Sequence, residues 1–373
     1  MKIAYDSQIF CAQTYGGVSR YFSEIASRLD QTPGLEVSIA APLHINAYLQ
    51  HLPPGIVTGF RGPRADRFES VYPRLFLRGM GLVLGDLVLR AQFPDIVHET
   101  YYFAYPLGPR RARRVLTIYD MIHERFPSDF PLADKTTRHK AMAAKRADHV
   151  ICISESTRRD AIEILGLAPE KTSVIHLGFD LMKGGDDDLI NERSVTNEPF
   201  LLYVGNRGGY KNFLRLLEAY ASSPQLRAEF RLVCFGGGAL SVDEQERITQ
   251  LGLDSGRVIQ LGGSDQLLSQ LYSHAYAFVY PSLYEGFGIP PLEAMSHDCP
   301  VVCGTTSSIP EVVGDGGEYF DPADVDSIRE AIERVVGSEN HRKALIEKGR
   351  ARLGCFSWDR CAKETLDVYR NLV

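Results

Sequence analysis

The sequence predicts an α/β protein of two domains, each built on a parallel sheet. Three observations predict it. Short apolar runs, suited to strands buried on both faces, alternate with segments of helical periodicity along most of the chain. The alternation stops at a polar stretch, residues 181–199, and then restarts. The 373 residues also exceed the roughly 250–300 that one hydrophobic core organises.

Composition narrows the class. The chain is 44% hydrophobic and 24% charged, with a net charge of -6. That balance argues against a general nucleic-acid binder. Met1-Lys2 runs straight into IAYDSQIF, with Asp6 where a leader would be apolar, so no signal peptide is expected. The best membrane-span candidate, residues 79–89, is short and carries Asp86. Seven cysteines, an odd number without a C-x-x-C pair, predict buried free thiols in a reducing cytoplasm.

In chain order, Lys2–Ser7 is a first strand. Thr14-Tyr15-Gly16-Gly17 leads into a helix over 18–29, where Val18, Tyr21, Phe22, Ile25, Ala26 and Leu29 recur at helical spacing. A glycine pair between strand and helix lets the backbone pass close to a ligand, although glycine is also the ordinary turn residue. Residues 36–41 are a second strand. Residues 42–92 read as irregular, with Arg61, Arg64, Arg67, Arg74 and Arg78 among Phe68, Val71, Tyr72, Leu75, Phe76 and Leu77. Such a mixture suits a solvated basic helix face or a segment lying on an anionic membrane. Arg110, Arg111, Arg113 and Arg114 form a second basic cluster.

Residues 95–99 and 114–120 are further strands. They end in His98-Glu99 and Tyr119-Asp120, with His123-Glu124 just beyond. Ligands bind at the carboxyl ends of parallel strands, so these are candidate contacts. A histidine at a strand end is as often a structural hydrogen-bonder. Neither histidine opens an H-E-x-x-H metal motif. A helix over 134–146, a strand over 147–154, a helix over 155–165 between Ser154 and Gly166, and a strand over 172–178 complete this half. Asp186, Asp187 and Asp188 lie in the polar linker and read as solvated rather than as a metal site.

The second half restarts with a strand over 200–205, the loop Asn206-Arg207-Gly208-Gly209-Tyr210-Lys211-Asn212 and a helix over 213–221. Strand, glycine loop with two cations and helix start together make an anion site, though not a Walker A motif. Strands over 230–235 and 257–261 alternate with helices over 242–251 and 267–274. Helices over 324–336 and 341–353 follow, then a last helix capped by Ser357.

The most informative stretch is 277–304, AFVYPSLYEGFGIPPLEAMSHDCPVVCG. It reads as a buried strand to Pro281, a turn through Glu285-Gly286-Phe287-Gly288, a helix with Pro290 and Pro291 in its first turn, and a buried strand from Pro300. Glu285 ends the strand's loop and Glu293 is expected in the first turn of the helix. Two acceptor-only carboxylates beside a glycine loop and free helix N–H groups suit a ligand with many hydroxyls and an anionic group, such as a nucleotide sugar.

Glu285-x7-Glu293 within EGFGIPPLEAM, followed by Pro300-Val301-Val302, closely resembles the signature of the retaining glycosyltransferases of family 4, which have the GT-B fold. The resemblance implies two Rossmann-like domains facing a central cleft. Residues 1–190 would form the acceptor side and 197–356 the nucleotide-sugar side, with a helix over 357–373 returning to the first domain. It implies that Glu293 binds the donor ribose, that Glu285 lies against the transferred sugar, and that the backbone of Gly286, Phe287 and Gly288 helps to hold sugar and phosphate. Lys211 and Asn212, and less closely Arg207, match the family's basic loop on the donor diphosphate. Gly16 and Gly17 match a loop facing the donor phosphate or the acceptor. The segment 305–311 resembles the family's small-residue turn before a short helix.

Many members carry His-Asp where this chain has Tyr119-Asp120. The resemblance then leaves His123 to contact sugar or acceptor, with Asp120 and His98 on the acceptor side. It further implies retention through front-face attack, with the departing phosphate taking the acceptor's proton. It implies neither a bound metal nor a cofactor beyond the donor. Cations at the diphosphate have a clear use, because charge develops on the leaving phosphate as the glycosidic bond breaks. The segment DMIHERFP resembles bacterial polysaccharide and lipopolysaccharide mannosyltransferases, which makes mannose from GDP-mannose the first expectation and a uridine diphosphate sugar the second. The expected acceptor is a saccharide or lipid-linked hydroxyl. The expected location is cytoplasmic, with peripheral contact to the inner membrane face through the basic segments and no nucleic-acid partner. Two other readings stay open: a sugar-nucleotide epimerase of the same fold, and a non-catalytic nucleotide-sugar or polysaccharide-binding subunit.

Overall fold

The computed structural model describes residues 1–62, 71–180, 198–254 and 256–373, with the backbone alone for 71–75. Arg64, Arg67, Phe68 and the Asp186–Asp188 run lie outside the described residues, as do the side chains of Val71, Tyr72, Arg74 and Leu75. The chain forms two compact units, Met1–Gly178 with Phe356–Val373, and Phe179–Cys355.

The first unit carries β1 (Lys2–Tyr5), β2 (Glu36–His44), β3 (Val57–Arg61), β4 (Ile96–Glu99), β5 (Arg113–Ile118), β6 (His149–Cys152) and β7 (Thr172–Val174). They form a parallel sheet in the order β3-β2-β1-β4-β5-β6-β7. The second unit carries β8 (Phe200–Val204), β9 (Arg231–Phe235), β10 (Val258–Leu261), β11 (Ala277–Tyr280), β12 (Val301–Gly304) and β13 (Gly317–Phe320). Their order is β10-β9-β8-β11-β12-β13, again all parallel. The order in which successive strands are added reverses between β1 and β4 in one sheet and between β8 and β11 in the other. These are the two switch points at which such sheets leave a crevice outside the strand ends. The strands AFVY and VVCG are buried at every position, as continuous apolar runs covered on both faces should be.

Residues 42–92 are more regular than their composition predicts. They contain β3 and a 22-residue helix, Val71–Gln92. Glycines at 79, 81 and 85 dilute the helical signal, and two of them have a packing reason. A Cβ on Gly81 would lie 2.6 Å from the Leu43 carbonyl oxygen, and one on Gly85 would lie 2.5 Å from Ser7 Oγ. The helix therefore approaches the sheet along a stripe where only glycine fits. Its other face exposes Phe76, Val83, Leu84 and Leu87. No described helix is long and apolar enough to cross a membrane. Helices Gln8–Ala12 and Pro224–Glu229 and strand β13 were not expected, being too short to show periodicity.

The last helix, Trp358–Arg370, is N-capped by Ser357 and packs on helix Gly17–Asp30 of the same unit. Its anchor is a buried polar chain. Tyr369 Oη lies 2.5 Å from His98 Nδ1 and 3.3 Å from Tyr5 Oη, and His98 Nε2 lies 2.8 Å from Thr117 Oγ1. His98 is fully buried, with Phe22 edge-on at 5.0 Å. The structure thus corrects the acceptor-side expectation for His98: both ring nitrogens are bonded inside the core, and no face of the ring reaches a ligand. The apolar pattern of β4 hides this, because the partner lies in a helix 271 residues away.

Burial alone pushes His98 down to about 3. The unfolded chain binds a proton near pH 6.5 that the folded chain refuses, so this contribution is complete above pH 6.5 and is lost as pH falls toward 3. The maximal slope is about 1.4 kcal/mol per pH unit. Asp6, raised by burial to about 6, works in the opposite sense between pH 6 and 4. The comparison of wild type with His98→Asn isolates the histidine. In urea titrations between pH 6.5 and 4 the variant should show the shallower acid loss, and equal slopes would refute this assignment.

Candidate functional site

The site forms where two loops leave adjacent strands at the second switch point. One follows β8 and contains Arg207 and Lys211. The other follows β11 and contains Glu285. They are tied by a backbone bond from Leu283 N–H to the Tyr210 carbonyl, 2.8 Å. Lys211 Nζ then meets Glu285 Oε1 at 2.7 Å. The pair is only partly covered, with side chains 19% and 10% exposed. Glu285 also takes a hydrogen bond from the buried Tyr280 phenol, which burial and then the Glu285 charge hold well above the ordinary tyrosine range. Tyr280 is therefore a donor at any working pH.

Helix Ile289–Ser296 has Pro290 and Pro291 in its first turn, as expected. Glu293 is its fifth residue, so it opens the second turn rather than sitting in the first. The two prolines also delete two of the four N–H groups that a helix start would offer. Gly288 precedes the helix at φ +118, a conformation that glycine alone adopts easily. Glu293 Oε2 accepts from Tyr272 Oη at 3.1 Å. Tyr272 is fully buried, which keeps its phenol protonated. Each signature carboxylate is thus steered by one buried phenol from a neighbouring element.

Arg207 is placed differently from the expectation. Its Nε bonds Glu244 Oε1 at 2.9 Å, Nη1 bonds the Gly236 carbonyl at 2.7 Å, and Nη2 bonds the carbonyls of Gly238 and Ala239 at 2.9 Å each. The residue is only 6% exposed. The guanidinium is directed into the glycine turn after β9, not into the crevice. Gly237, at φ +69, favours glycine, and a Cβ there would fall 2.9 Å from the Gly205 carbonyl oxygen and 2.8 Å from Arg207 Nη1. Asn212 is likewise committed. It sits at φ +60, and its amide donates to the carbonyls of Pro281 at 3.0 Å and Pro322 at 2.7 Å. Its side chain fastens the start of helix Phe213–Ser222 to both neighbouring loops and has no amide proton left for a donor molecule.

Three hydroxyls that sequence reasoning did not assign hold the second loop from behind. Thr306 Oγ1 donates to the Ser282 carbonyl at 3.3 Å. Ser307 Oγ accepts from Glu285 N–H at 2.8 Å and donates to the Glu285 carbonyl at 3.0 Å. Ser308 Oγ lies 2.8 Å from the Glu285 carbonyl oxygen and 2.7 Å from that of Phe287. The run of small hydroxyl residues was the available signal. Phe287 itself is buried, so Gly286, Phe287 and Gly288 offer a ligand mainly backbone.

In the first unit, Gly17 opens helix Gly17–Asp30, and the Gly16 carbonyl accepts from Arg20 N–H and Ser19 Oγ. A Cβ on Gly17 would meet nothing, so packing does not demand glycine there. Asp120 accepts from Ile122 N–H at 3.1 Å and faces the buried Lys140 at 3.7 Å. Lys140 also holds Glu124 at 2.8 Å. His123 stacks on Phe130 at 3.8 Å, lies 3.7 Å from Asp134, and buries an Nδ1 that has no hydrogen-bond partner among the described residues. Among the described residues, no three His, Cys, Asp or Glu side chains are arranged to hold a metal ion.

Arg207→Ala should behave as a stability variant. It leaves the buried Glu244 carboxylate with its Ser241 N–H bond but without its cation, a loss of about 3 kcal/mol or more. Lys211→Ala, at a partly exposed pair, should cost less than half as much in denaturant unfolding. Unchanged stability in Arg207→Ala together with lost nucleotide binding would return Arg207 to the ligand.

Comparison with known proteins identifies the family. Residues 186–352 match the family described as Glycosyl transferases group 1, and residues 15–183 match Glycosyltransferase Family 4. The chain is 30% identical over 378 residues to the O-antigen chain mannosyltransferase B of Escherichia coli, covering 95% of this chain and 96% of the relative. It is 28% identical to the O-antigen chain mannosyltransferase RfbU of Salmonella typhimurium, over 61% of this chain and 62% of the relative. Among solved structures, Anabaena Alr3699/HepE in complex with UDP superposes with a TM-score of 0.71 at 20% identity, covering all of both chains. Two parallel-sheet units, a signature loop with both carboxylates in place and a full-length relative lead to one assignment: the chain belongs to family 4 of the glycosyltransferases, the retaining hexosyltransferases with the GT-B fold.

Proposed function

We propose that this enzyme transfers mannose from GDP-mannose to a hydroxyl of a saccharide or lipid-linked acceptor during synthesis of a bacterial surface polysaccharide. The observation that carries the donor side is the Lys211–Glu285 pair at the end of β11, with Glu293 steered by Tyr272 in the following helix. In this reading Lys211 moves to the β-phosphate and balances the charge that grows there as the glycosidic bond breaks. Glu285 accepts from hydroxyls of the transferred sugar and Glu293 from the ribose. Backbone from Gly286 to Gly288 lies against sugar and phosphate. Arg207 and Asn212 shape the loop without touching the donor. The departing phosphate oxygen takes the acceptor's proton, so neither carboxylate serves as nucleophile. The acceptor is assigned to the first unit, at Gly16-Gly17, Asp120 and His123. The unrequired glycine at 17 and the unpartnered Nδ1 of His123 support those positions.

Mannose is favoured by likeness to the O-antigen mannosyltransferases. A uridine diphosphate sugar is the second reading, favoured by the superposition on a protein solved with UDP. A thermal-shift panel of GDP-mannose, UDP-glucose and the free diphosphates decides between them. A donor at 100 times its dissociation constant adds about 2.7 kcal/mol to the folded state. We expect GDP-mannose to raise the melting temperature, and Lys211→Ala and Glu293→Ala each to abolish the rise. No shift with any of the four compounds would refute the donor site.

Membrane contact is assigned to the exposed stripe Phe76, Val83, Leu84 and Leu87, with Arg78 on the same helix and Arg111 stacked 4.8 Å over exposed Phe93. Apolar side chains flanked by arginine suit an anionic lipid surface. The wild type should co-sediment with vesicles containing phosphatidylglycerol, and the double variant Val83→Ser, Leu87→Ser should bind several-fold more weakly. Equal binding by both would remove this face from the reading.

A further inference from the structure

Two serines behind the donor loop each occupy a position where a different local choice would be cheaper. Ser307 has φ +53, the left-handed region where glycine is the unstrained residue. Ser308 stands at the N-cap of helix Ile309–Val313, where a serine hydroxyl ordinarily bonds a backbone N–H of the first turn. Here it makes no such bond. Both hydroxyls go to the same place instead. Ser307 Oγ bonds the N–H and the carbonyl of Glu285, and Ser308 Oγ reaches the carbonyls of Glu285 and Phe287. Ser308 is completely buried, so water cannot replace it.

Local stability has thus been given up twice, at adjacent residues, for contacts with one three-residue segment. When local preference fails in this way, the geometry it secures is the thing under constraint. That geometry sets the backbone of Glu285 and Phe287. From the front, the Glu285 carboxylate is steered by Lys211 and Tyr280. From behind, its peptide groups are held by the two serines. The carboxylate is therefore fixed at both ends of its own residue.

We propose that Ser307 and Ser308 are positioning residues that set the orientation of the Glu285 carboxylate and the Glu285–Phe287 backbone toward the transferred sugar. The inference rests on the reading that Glu285 contacts that sugar. It implies a selective effect. Lys211 lies on the other loop, which the serines do not touch, whereas the backbone they hold lies against sugar as well as phosphate, so nucleoside diphosphate affinity should fall far less than turnover. Turnover of the sugar should depend on them, because a tilted Glu285 loses hydroxyl contacts made at the reacting ring.

Ser307→Gly is the deciding variant. It removes the hydroxyl and also removes the backbone strain, so the protein should melt no lower than the wild type. Ser308→Ala is the second, compared with wild type at a temperature where both proteins are folded. GDP affinity is measured by calorimetry, and kcat and KM are measured by GDP release from GDP-mannose with wild-type enzyme as reference. UDP and UDP-glucose replace them if the panel above selects uridine. The expected result for both variants is GDP affinity within about twofold of wild type and kcat at least tenfold lower. A kcat within twofold of wild type in Ser307→Gly and Ser308→Ala would overturn the positioning role while leaving the donor site intact. An equal loss of GDP affinity and turnover would also overturn it, by showing a general collapse of the loop. A wild-type protein that neither binds nor turns over either donor would refute the donor site, and the inference with it.

Discussion

The ion pair between Lys211 and Glu285 joins two loops that are 74 residues apart and leave neighbouring strands. Everything around it serves to place those two charges. The strands β8 and β11 pair in parallel register, so their carboxyl ends lie side by side. A backbone bond from Leu283 to Tyr210 sets the spacing between the loops. A pair this exposed contributes little to stability by itself. Its value is electrostatic: it keeps a cation and a carboxylate poised at a switch point, each available to a ligand with charges and hydroxyls of its own.

The polar side chains around the pair divide by what their donors already hold. Arg207 and Asn212 look identical to ligand groups in a sequence, because a cation and an amide in a glycine loop suit a phosphate. Folded, the guanidinium cradles the glycine turn after β9 and the amide bridges Pro281 and Pro322. Buried donors are satisfied once, and a side chain engaged with several carbonyls cannot also hold a substrate without leaving them bare. Lys211 differs because, among the described residues, its one close acceptor is the partly exposed Glu285, with the Tyr210 ring 5.2 Å away.

The architecture was legible because buried parallel strands announce themselves as apolar runs, and Ala277–Tyr280 and Val301–Gly304 are of that kind. The helix caps at Ser154 and Ser357 were legible for the same local reason. What was illegible depended on distant partners. The long helix over 71–92 carries glycines whose purpose appears only against Ser7 and Leu43. His98 read as a strand-end ligand because its partner Tyr369 lies near the other end of the chain. Of the site, the carboxylates and Lys211 were visible in a motif. The phenols and serines that orient them were not, since a tyrosine in an apolar helix or strand reads as core.

The same distinction explains why the supporting groups are tyrosines and serines rather than further charges. A second cation near Glu285 or Glu293 would compete with the ligand for the carboxylate and would have to be desolvated with it. A buried phenol supplies one directional hydrogen bond and no net charge. Burial pushes the phenols of Tyr272 and Tyr280 far above the ordinary value, so the proton stays on the donor beside the carboxylate. Serine hydroxyls act in the same way on the backbone, being small enough to sit wholly inside the loop's rear wall. Ser307 holds its left-handed conformation at a penalty of about 1–2 kcal/mol. That penalty is comparable to what one or two hydrogen bonds return. At Ser307 the two nearly cancel, so that hydroxyl orients the loop at little net stabilisation, and the charged contacts at the loop's front are left to the substrate.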